Sequence, residues 1–464
     1  MPTKVSHAHG RMPHPVTMMM LIILAAALMT YLVPSGEFAR GADKLVVPGT
    51  FHAVPKAYGV DALLSPHKSG AALAYPASVA GVALSIPAGL AATANLFFMI
   101  MFSGGMFGVL RATGALDAGV ARLLSLVRGN AYVLAPILMA VISVGATFLG
   151  MISEFVVIIP VIVVLAESMG LTPLFAVAVV TVAAKIGYLA SVTNPVALLV
   201  AQPIAGVAPF SGMGLRLAVY LGFMTLGVLY VMRHLRRTGY RVPAHVPHSA
   251  RLSPRHAGVL GLLALAMAVI PYGGLELGWG NVQVGAFYIV LAILISLAGG
   301  LSGSRAAEAY TDGMKSMLLA GFLVGLASAV EIVLKDGMVL DTIINALAGL
   351  TSEQAPVLVA QSLTVVEMAL DVLIPSTSGK AAVSLPILAP IAHMAGVGGQ
   401  MTVMAFLFGN GLTNMVTPTS GMLLAYLAAA RVGFGTWIRF ILPLWGVLVA
   451  LSLAIMAAGV WLGL

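Results

Sequence analysis

Four short polar segments interrupt the apolar stretches of this chain, at residues 153–154, 193–195, 376–380 and 414–418. Their hydroxyl and amide side chains can hydrogen-bond a polar solute, Lys380 can pair with a carboxylate, and Glu154 can pair with a cation. We predict that the substrate contacts lie in these segments, at Ser153, Glu154, Thr193, Asn194, Ser376, Thr377, Ser378, Gly379, Lys380, Asn414 and Thr417.

Three further polar residues flank these segments and suit charge pairing or ion coupling, namely Lys185, Asp371 and Asn410. An ionisable residue inside an apolar span is costly and indicates function. Lys185 can bind the ligand directly or pair with Glu154, and Asp371 can form a salt bridge with Lys380 or carry a proton. We expect packing or interfacial roles for the acids nearer the predicted helix ends, which are Glu167, Glu331 and Glu367.

The composition indicates a protein that crosses the membrane several times. The chain is 60% hydrophobic and 8% charged, whereas soluble domains carry about 25% charged residues. Its 51 Gly and 26 Met favour close helix packing in a membrane. With no Cys and no metal-ligand spacing among its 10 His, the sequence predicts no metal site and no cofactor. It also contains no catalytic set and no phosphate-binding loop, so we do not expect an enzyme.

Gly, Pro and Arg residues of the first half of the chain recur in the second half, each at the same distance along the sequence. The matching pairs are Gly114 with Gly337, Pro195 with Pro418, and Arg216 with Arg439. Each copy is predicted to contain three net crossings and a re-entrant hairpin, and two crossings separate the copies. An odd number of crossings therefore leads from one copy to the next, so the two repeats are expected to be inverted.

Each repeat is predicted to place its polar segments in one hairpin and one broken helix. The hairpins cover 131–167 and 355–395, and the broken helices cover 172–204 and 400–430. Irregular backbone in a membrane needs protein or a water-filled cavity around it, so the four segments should meet at one cavity. Pro195 and Pro418 suit the first position of the second half-helices, whose free amides can face an anion.

The remaining spans follow from apolar runs and from Arg placement. We predict an N-terminal region at 1–88 (helix, external loop and interfacial segment 76–88), repeat 1 at 89–232, a cytoplasmic linker with two connecting helices at 233–315, and repeat 2 at 316–464. Outside the hairpins and broken helices, the predicted helices are 15–34, 89–110, 214–232, 256–272, 283–300, 316–334 and 439–462, and the surface pieces are 116–127 and 339–348. Residues 233–256 carry six Arg and no acid, which favours a cytoplasmic linker and a cytoplasmic N-terminus in a bacterial inner membrane.

Several motifs of the chain are shared with a known family. They are Met12-Pro13, Pro34-Ser35-Gly36-Glu37-Phe38, Thr193-Asn194-Pro195, Ile374-Pro375-Ser376 with Ser378-Gly379, and Thr413-Asn414-Met415 with Pro418-Thr419-Ser420-Gly421. In these motifs the chain resembles the YfcC-like branch of the C4-dicarboxylate anaerobic carrier family, within the ion transporter superfamily. The resemblance implies an all-α polytopic membrane protein with two hairpins and two broken helices around one site. It also implies an elevator-type transport domain on a dimerising scaffold, hence a homodimer.

Three differences from the family pattern predict a less acidic or more basic site. Relatives of this branch tend to carry Gln, Asp and Glu at the positions of Lys380, Asn410 and Ser153. These differences favour a ligand with at least one carboxylate.

The expected function is secondary active transport of a small carboxylate-bearing solute, such as a dicarboxylate or an amino acid. The sequence contains no nucleotide motif, so Na⁺, H⁺ or solute exchange would drive transport by symport or antiport. An alternative is a basic amino-acid antiporter, in which Glu154 and Asp371 receive the cationic side chain; a channel is less favoured. The expected partners are the solute and the lipid bilayer, and we expect no nucleic acid.

Overall fold

The computed structural model describes residues 14–41, 45–242, 252–349 and 355–464. Within these ranges nine helices are long and apolar enough to cross a membrane, judged by length and composition. The protein is therefore an all-α, multi-pass membrane protein, as the sequence predicts. Met12, Pro13 and the centre of the predicted linker lie outside the described residues.

The N-terminal region forms a helix, a folded loop and a second helix. Its elements are α1 (Pro15–Leu32), β1 (Gly36–Glu37), β2 (His52–Ala53), α2 (Val60–Leu64) and α3 (Val79–Ala92). The two short strands pair in antiparallel fashion. The loop is attached to the second repeat, because Arg40 Nη2 lies 2.9 Å from the Asp341 carboxylate and Ser35 Oγ donates to the Gly337 carbonyl at 2.7 Å.

The first repeat follows the predicted order of helix, surface helix, hairpin, broken helix and closing helix. Its elements are α4 (Ala94–Ala112), α5 (Ala115–Leu126), α6 (Ala131–Leu149), a 3-10 turn (Ser153–Val157), α7 (Ile159–Ser168), α8 (Pro173–Ala190), α9 (Pro195–Ile204) and α10 (Met213–Arg237). Thr172 precedes Pro173 at the first turn of α8, and Asn194 caps α9 with Pro195 at its first position. Proline is favoured there because its missing N–H has no partner within the helix.

Two connecting helices and the second repeat complete the chain. These elements are α11 (Pro254–Glu276), α12 (Asn281–Gly299), α13 (Gly303–Asp336), α14 (Leu340–Gly349), α15 (Pro356–Leu373), α16 (Thr377–Met394), α17 (Gly399–Thr413), α18 (Gly421–Ala429) and α19 (Phe434–Trp461). The order of elements from α4 to α10 thus recurs from α13 to α19. The inverted relation of the two copies stays a prediction.

One predicted helix boundary is wrong, at the start of α13. The helix predicted at 316–334 begins already at Gly303, because a Ser302 cap and exposed charged residues extend it beyond its apolar part. With 34 residues α13 is about 50 Å long, more than the roughly 30 Å hydrocarbon core. The segment predicted as an interfacial piece at 76–88 overlaps the helix α3, which leads into α4 and packs along α13. Its interfacial position stays a prediction.

The position of Pro418 also differs from the prediction. α18 begins at Gly421 and is capped by Ser420, so Pro418 lies in the unwound segment and not at the first helical position. Thr417 Oγ1 lies 2.7 Å from Thr419 Oγ1 and accepts a hydrogen bond from the Thr419 amide. Because of this local turn, α18 begins three residues after Pro418. The Ser420 hydroxyl caps the helix by accepting a hydrogen bond from the Leu423 amide.

A seam of small residues joins α4 to α13. Gly104 and Gly108 lie one turn apart on α4 and face Gly313 and Ala309, which lie one turn apart on α13. A Cβ atom on Gly104 would lie 2.6 Å from the Gly313 carbonyl oxygen, and one on Gly108 would overlap the Ala309 carbonyl. Such close backbone approach is how helices pack in a membrane without a hydrophobic driving force between them.

The helices fall into two packing groups. One contains α1, α3, α4, α11, α12 and α13, and the other contains the hairpins, most of the broken helices, α10 and α19. The half-helix α18 joins the two groups, because it packs mainly on α13, with Gly421 close to the Val324 backbone. The sequence also predicts 214–232 and 439–462 as fixed scaffold helices together with 89–110 and 316–334, and which helices stay fixed during transport remains a prediction. In the structure α10 packs against α6 and α8, and α19 packs against α15 and α17. The surface helices α5 and α14 lie between the groups.

Candidate substrate site

The tip of the first hairpin packs directly against the first helix break. Gly150 ends α6 with φ of +73°, in the left-handed region that favours glycine. A side chain at Gly150 would overlap Asn194 Oδ1, which accepts from the Val196 amide at 2.9 Å. Asn194 Nδ2 donates to Ser191 Oγ at 3.0 Å. Both polar groups of the buried Asn194 side chain are therefore used in shaping the break.

The tip of the second hairpin is the N-terminus of α16. Ser376 caps this helix by accepting from the Gly379 amide at 3.2 Å. Thr377 Oγ1 accepts two hydrogen bonds of 3.1 Å, one from the Tyr188 hydroxyl and one from Asn410 Nδ2. Since these occupy its acceptor positions, the Thr377 hydroxyl keeps its proton for a further acceptor.

Each broken helix reaches the hairpin tip of the other half of the chain. Tyr188 on α8 donates to Thr377 at the second tip. Tyr426 on α18 donates to the Ile152 carbonyl at the first tip. These two bonds join the halves at their irregular segments, so the position of each tip depends on the other repeat.

Donors from the closing helices satisfy the carbonyl groups of both breaks. Arg216 on α10 is 1% exposed and donates from Nη2 to the Val192 carbonyl at 3.2 Å. On α19, Trp437 Nε1 donates to the Met415 carbonyl at 2.8 Å, and Trp445 Nε1 to that of Leu412 at 2.9 Å. Broken membrane helices need such partners, since an unpaired carbonyl in an apolar interior costs several kcal/mol. These bonds explain why α10 and α19 pack with the broken helices.

The two hairpin tips and the two breaks meet at one cavity of about 560 Å³. Among the residues lining it are Gly150, Ile152, Ser153, Lys185, Tyr188, Val196, Pro375, Ser376, Thr377, Ser378, Asn410, Gly411, Asn414, Ser420, Gly421 and Met422. The first turns of α9, α16 and α18 all border this cavity. Three helix N-termini therefore bring their positive dipole ends to the same space. The first amides of α16 and α18 border it as well, whereas α9 begins with Pro195 and its Val196 amide already donates to Asn194.

Lys185 brings a side-chain cation to this cavity. It lies on α8, is only 3% exposed and lines the cavity. Among the described side chains, Asp371 interacts with Lys185 electrostatically, but no hydrogen bond or ion pair reaches the Lys185 Nζ atom. The ammonium group can therefore pair directly with an anion that enters the cavity.

Lys380 lies behind the second hairpin tip and already has its partners. It is 0% exposed, and its Nζ atom lies 3.2 Å from Glu367 Oε2 and 3.2 Å from Asp371 Oδ1. Its hydrogen bond goes to the Glu367 carbonyl at 3.3 Å. Ser384 Oγ donates to Glu367 Oε1 at 2.8 Å, and Asn414 Nδ2 to Asp371 Oδ2 at 2.6 Å. We call Lys380, Glu367 and Asp371 the buried triad.

The predicted site residues thus divide into a lining set and a supporting set. Ser153, Lys185, Ser376, Thr377, Ser378, Asn410 and Asn414 line the cavity. Thr193, Asn194, Asp371, Gly379, Lys380 and Thr417 lie behind it among these segments. The backbone of Glu154 belongs to the 3-10 turn, and its side chain lies outside the described residues. The predicted bridge between Asp371 and Lys380 is confirmed.

Three residues in or beside the cavity were not among the predicted site residues, namely Glu367, Glu331 and Tyr188. Glu367, expected in a packing role near a helix end, is 1% exposed and lies in the buried triad. Glu331, given the same expectation, lines the cavity from α13 together with Ser328. The cost of a carboxylate inside an apolar span was the available signal for both acids. Tyr188 carried no such signal, because a tyrosine in an apolar helix also suits ordinary packing.

Comparison with known proteins identifies the family. The chain matches the C4-dicarboxylate anaerobic carrier family over residues 12–460. The chain belongs to this family. A protein of Escherichia coli (strain K12) named "Putative basic amino acid antiporter YfcC" is 27% identical over 483 residues, with 95% of each chain covered. An uncharacterized protein of Haemophilus influenzae is 25% identical over 490 residues, again with 95% of each chain covered. The chain is therefore a membrane transporter and not an enzyme.

Two solved transporter structures show remote similarity. The YdaH transporter of Alcanivorax borkumensis has a TM-score of 0.45 at 16% identity, over 97% of this chain and 99% of its own. MtrF of Neisseria gonorrhoeae has a TM-score of 0.42 at 16% identity, over 97% of this chain and 95% of its own.

Proposed function

We propose that this protein is a secondary active transporter of small solutes that carry a carboxylate group. The observation that carries the proposal is the cavity in which Lys185 and the first turns of three helices meet. A carboxylate there would accept hydrogen bonds from the Thr377 and Ser378 amides and from the Thr377 hydroxyl, with Lys185 as its counter-ion. Helix N-termini bind anions because their first amides lack partners within the helix. Ion-coupled symport and exchange both suit this arrangement.

This proposal assigns the carboxylate to Lys185 and not to Lys380. Lys380 is fully buried and lies 3.2 Å from two carboxylates. Binding a further anion would require the buried triad to come apart, which is costly in a low-dielectric interior. In our proposal the triad supports the second hairpin tip, and Glu154 keeps its predicted role with a cation or a proton.

Basic amino-acid antiport is the second candidate, favoured by the name of the Escherichia coli relative. In the arrangement expected from the sequence, Asp371 would receive the cationic side chain. Asp371 is 0% exposed, lies 3.2 Å from Lys380 Nζ and accepts a hydrogen bond from Asn414. Its contacts support a structural role more than a role in binding a basic side chain.

Binding to the purified protein tests the proposed function. A ligand that binds only the folded state raises the unfolding temperature, so a thermal-shift screen of dicarboxylates and amino acids, with and without Na⁺, should yield at least one stabilising carboxylate. Lys185→Met should weaken that ligand about 10- to 100-fold, because a charge-assisted hydrogen bond contributes about 1.5–3 kcal/mol. Lys315→Met is the matched control, since Lys315 is exposed on α13. Equal affinities of both variants and the wild type would remove Lys185 from the site.

We further propose elevator-type alternating access with a moving group that includes α10 and α19. Arg216, Trp437 and Trp445 fasten these two helices to the breaks. Sliding them apart from the breaks would leave buried carbonyls without donors. The glycine seam between α4 and α13 supports a fixed scaffold, and α5 and α14 would link scaffold to moving group.

A thiol cross-link across the cavity tests the elevator. The chain has no native Cys, so cysteines at Ser378 on the hairpin tip and Ser328 on α13 can be bridged by a bifunctional, cleavable reagent. Transport into proteoliposomes should stop when the bridge forms and return when it is cleaved. Continued transport with the bridge complete would contradict a moving hairpin and favour local gating.

For orientation and assembly we propose a homodimer in a bacterial inner membrane, with the N-terminus in the cytoplasm. The Arg-rich segment 233–256 supports the cytoplasmic assignment of the linker. In intact cells an impermeant thiol reagent should label a cysteine at Leu277 and spare one at Ser249. The opposite pattern would reverse the topology, and a monomeric mass of the detergent-purified protein would refute the dimer.

A further inference from the structure

One wall of the cavity is formed by helices outside the hairpin group. Glu331 and Ser328 lie one turn apart on α13 and both line the cavity. Asn281, the first residue of α12, and Thr93, between α3 and α4, line the same wall. Polar side chains from these helices therefore border the cavity together with those of the hairpin tips.

The charges of the two walls are opposite. Among the described side chains that line the cavity, Lys185 is the one cation and Glu331 is the one anion. Lys185 lies on α8 of the hairpin group, whereas Glu331 lies on α13, which packs along α3 and α4. Lys335, one turn further along α13, interacts with Glu331 electrostatically, but no hydrogen bond or ion pair joins Glu331 to another residue in the described part of the chain. Glu331 therefore offers the cavity a carboxylate that no cation contacts directly.

An organic ammonium group suits Glu331 better than a metal ion does. The described residues contain no group of three or more His, Cys, Asp or Glu side chains that could hold a metal. A hard cation such as Ca²⁺ needs about six to eight oxygen ligands in a close shell, and one carboxylate on the wall of a cavity of about 560 Å³ does not provide that shell. An ammonium group needs fewer partners, and the Glu331 carboxylate with the Ser328 hydroxyl can supply them.

We infer that Glu331 binds the cationic group of the substrate, so that the preferred substrates are zwitterionic and belong to the amino acids. This inference rests on the proposed function, because it takes the carboxylate end of the same solute to be held by Lys185 and the α16 N-terminus. Glu331 is then the residue that distinguishes an amino acid from a plain carboxylate of the same skeleton.

Matched ligand pairs that differ only in the α-amino group test this inference. The pairs are aspartate with succinate, glutamate with glutarate, leucine with 4-methylpentanoate, and arginine with 5-guanidinopentanoate. Affinities are measured by thermal shift and by competition for uptake, in the wild type, Glu331→Gln and Glu331→Asp. Glu308→Gln is the matched control, because Glu308 is exposed on the same helix.

We expect the wild type to prefer the amino acid in at least one pair, and Glu331→Gln to reduce that preference about 10- to 100-fold. Glu331→Asp and Glu308→Gln should keep it, and binding of the desamino partner should change little in any variant. A preference that Glu331→Gln leaves intact, or a wild type that favours no amino acid, would overturn the inference while carboxylate binding persists. A wild type that binds no member of any pair would instead refute the proposed function and the inference with it.

Discussion

Replacing the buried lysine of the triad should destabilise the protein much more than replacing either of its acids. The triad contains one cation and two carboxylates, all at most 1% exposed. Lys380→Met keeps the side-chain volume and removes the ammonium group that lies 3.2 Å from each of the two buried carboxylates. Breaking a buried ion pair from one side costs about 3–5 kcal/mol.

Asp371→Asn perturbs the same triad in the opposite direction. It leaves Lys380 paired with Glu367, so one cation faces one anion, and the new amide oxygen can still accept from Asn414. A charge-assisted hydrogen bond becomes a neutral one, which costs about 1–2 kcal/mol. The two single variants should therefore differ by about 2–3 kcal/mol in their free energy of unfolding.

Denaturant-induced unfolding in detergent can measure this difference. Trp437 and Trp445 on α19 contact the second break, so tryptophan fluorescence reports on the region beside the triad. The triple variant Lys380→Met, Glu367→Gln, Asp371→Asn removes all three charges and should recover most of the stability lost in Lys380→Met alone. If Lys380→Met is as stable as Asp371→Asn, the two carboxylates need no buried counter-ion, and the predicted stabilising role of Lys380 is wrong.

Two further substitutions test the scaffold seam and the fastening of the first break. Gly108→Leu should prevent close packing of α4 on α13 and lower the yield of folded protein, because its Cβ would overlap the Ala309 carbonyl. Gly222→Leu on α10 is the control, since a side chain there meets open space. Size-exclusion chromatography compares the two variants, and equal elution profiles would argue against the seam. Arg216→Met should cost about 3 kcal/mol or more by leaving the Val192 carbonyl unpaired in the interior; an unchanged unfolding midpoint would show that another donor serves this carbonyl.

The fold was predictable wherever the chain marks its helix ends with local signals. Asn194-Pro195 is a cap-and-proline pair, and α9 begins where Pro195 predicts. The prediction for Pro418 was wrong because a second signal, the Ser420 cap, follows it and competes for the helix start. The start of α13 was missed because exposed charges end an apolar pattern without ending a helix.

The site was predictable as a set of segments but not as a set of contacts. Polar residues in a membrane must be partnered, so their segments could be expected to converge. Which of Lys185 and Lys380 faces the cavity depends on where Glu367 and Asp371 lie in space, and Lys380 takes both acids as partners. The same dependence on neighbours places Glu331 in the cavity wall.

The sequence by itself determined the membrane class, the two hairpins, the two broken helices and the carrier family, because these follow from composition, helix signals and motifs along the chain. Only the tertiary structure decided that α10 and α19 pack with the breaks, that Lys380 is buried in a triad, and that Lys185 on α8 and Glu331 on α13 border one cavity. The physical reason is that a buried charge or an open backbone carbonyl is stabilised by whichever partner lies within about 3 Å, and those partners come from distant parts of the chain.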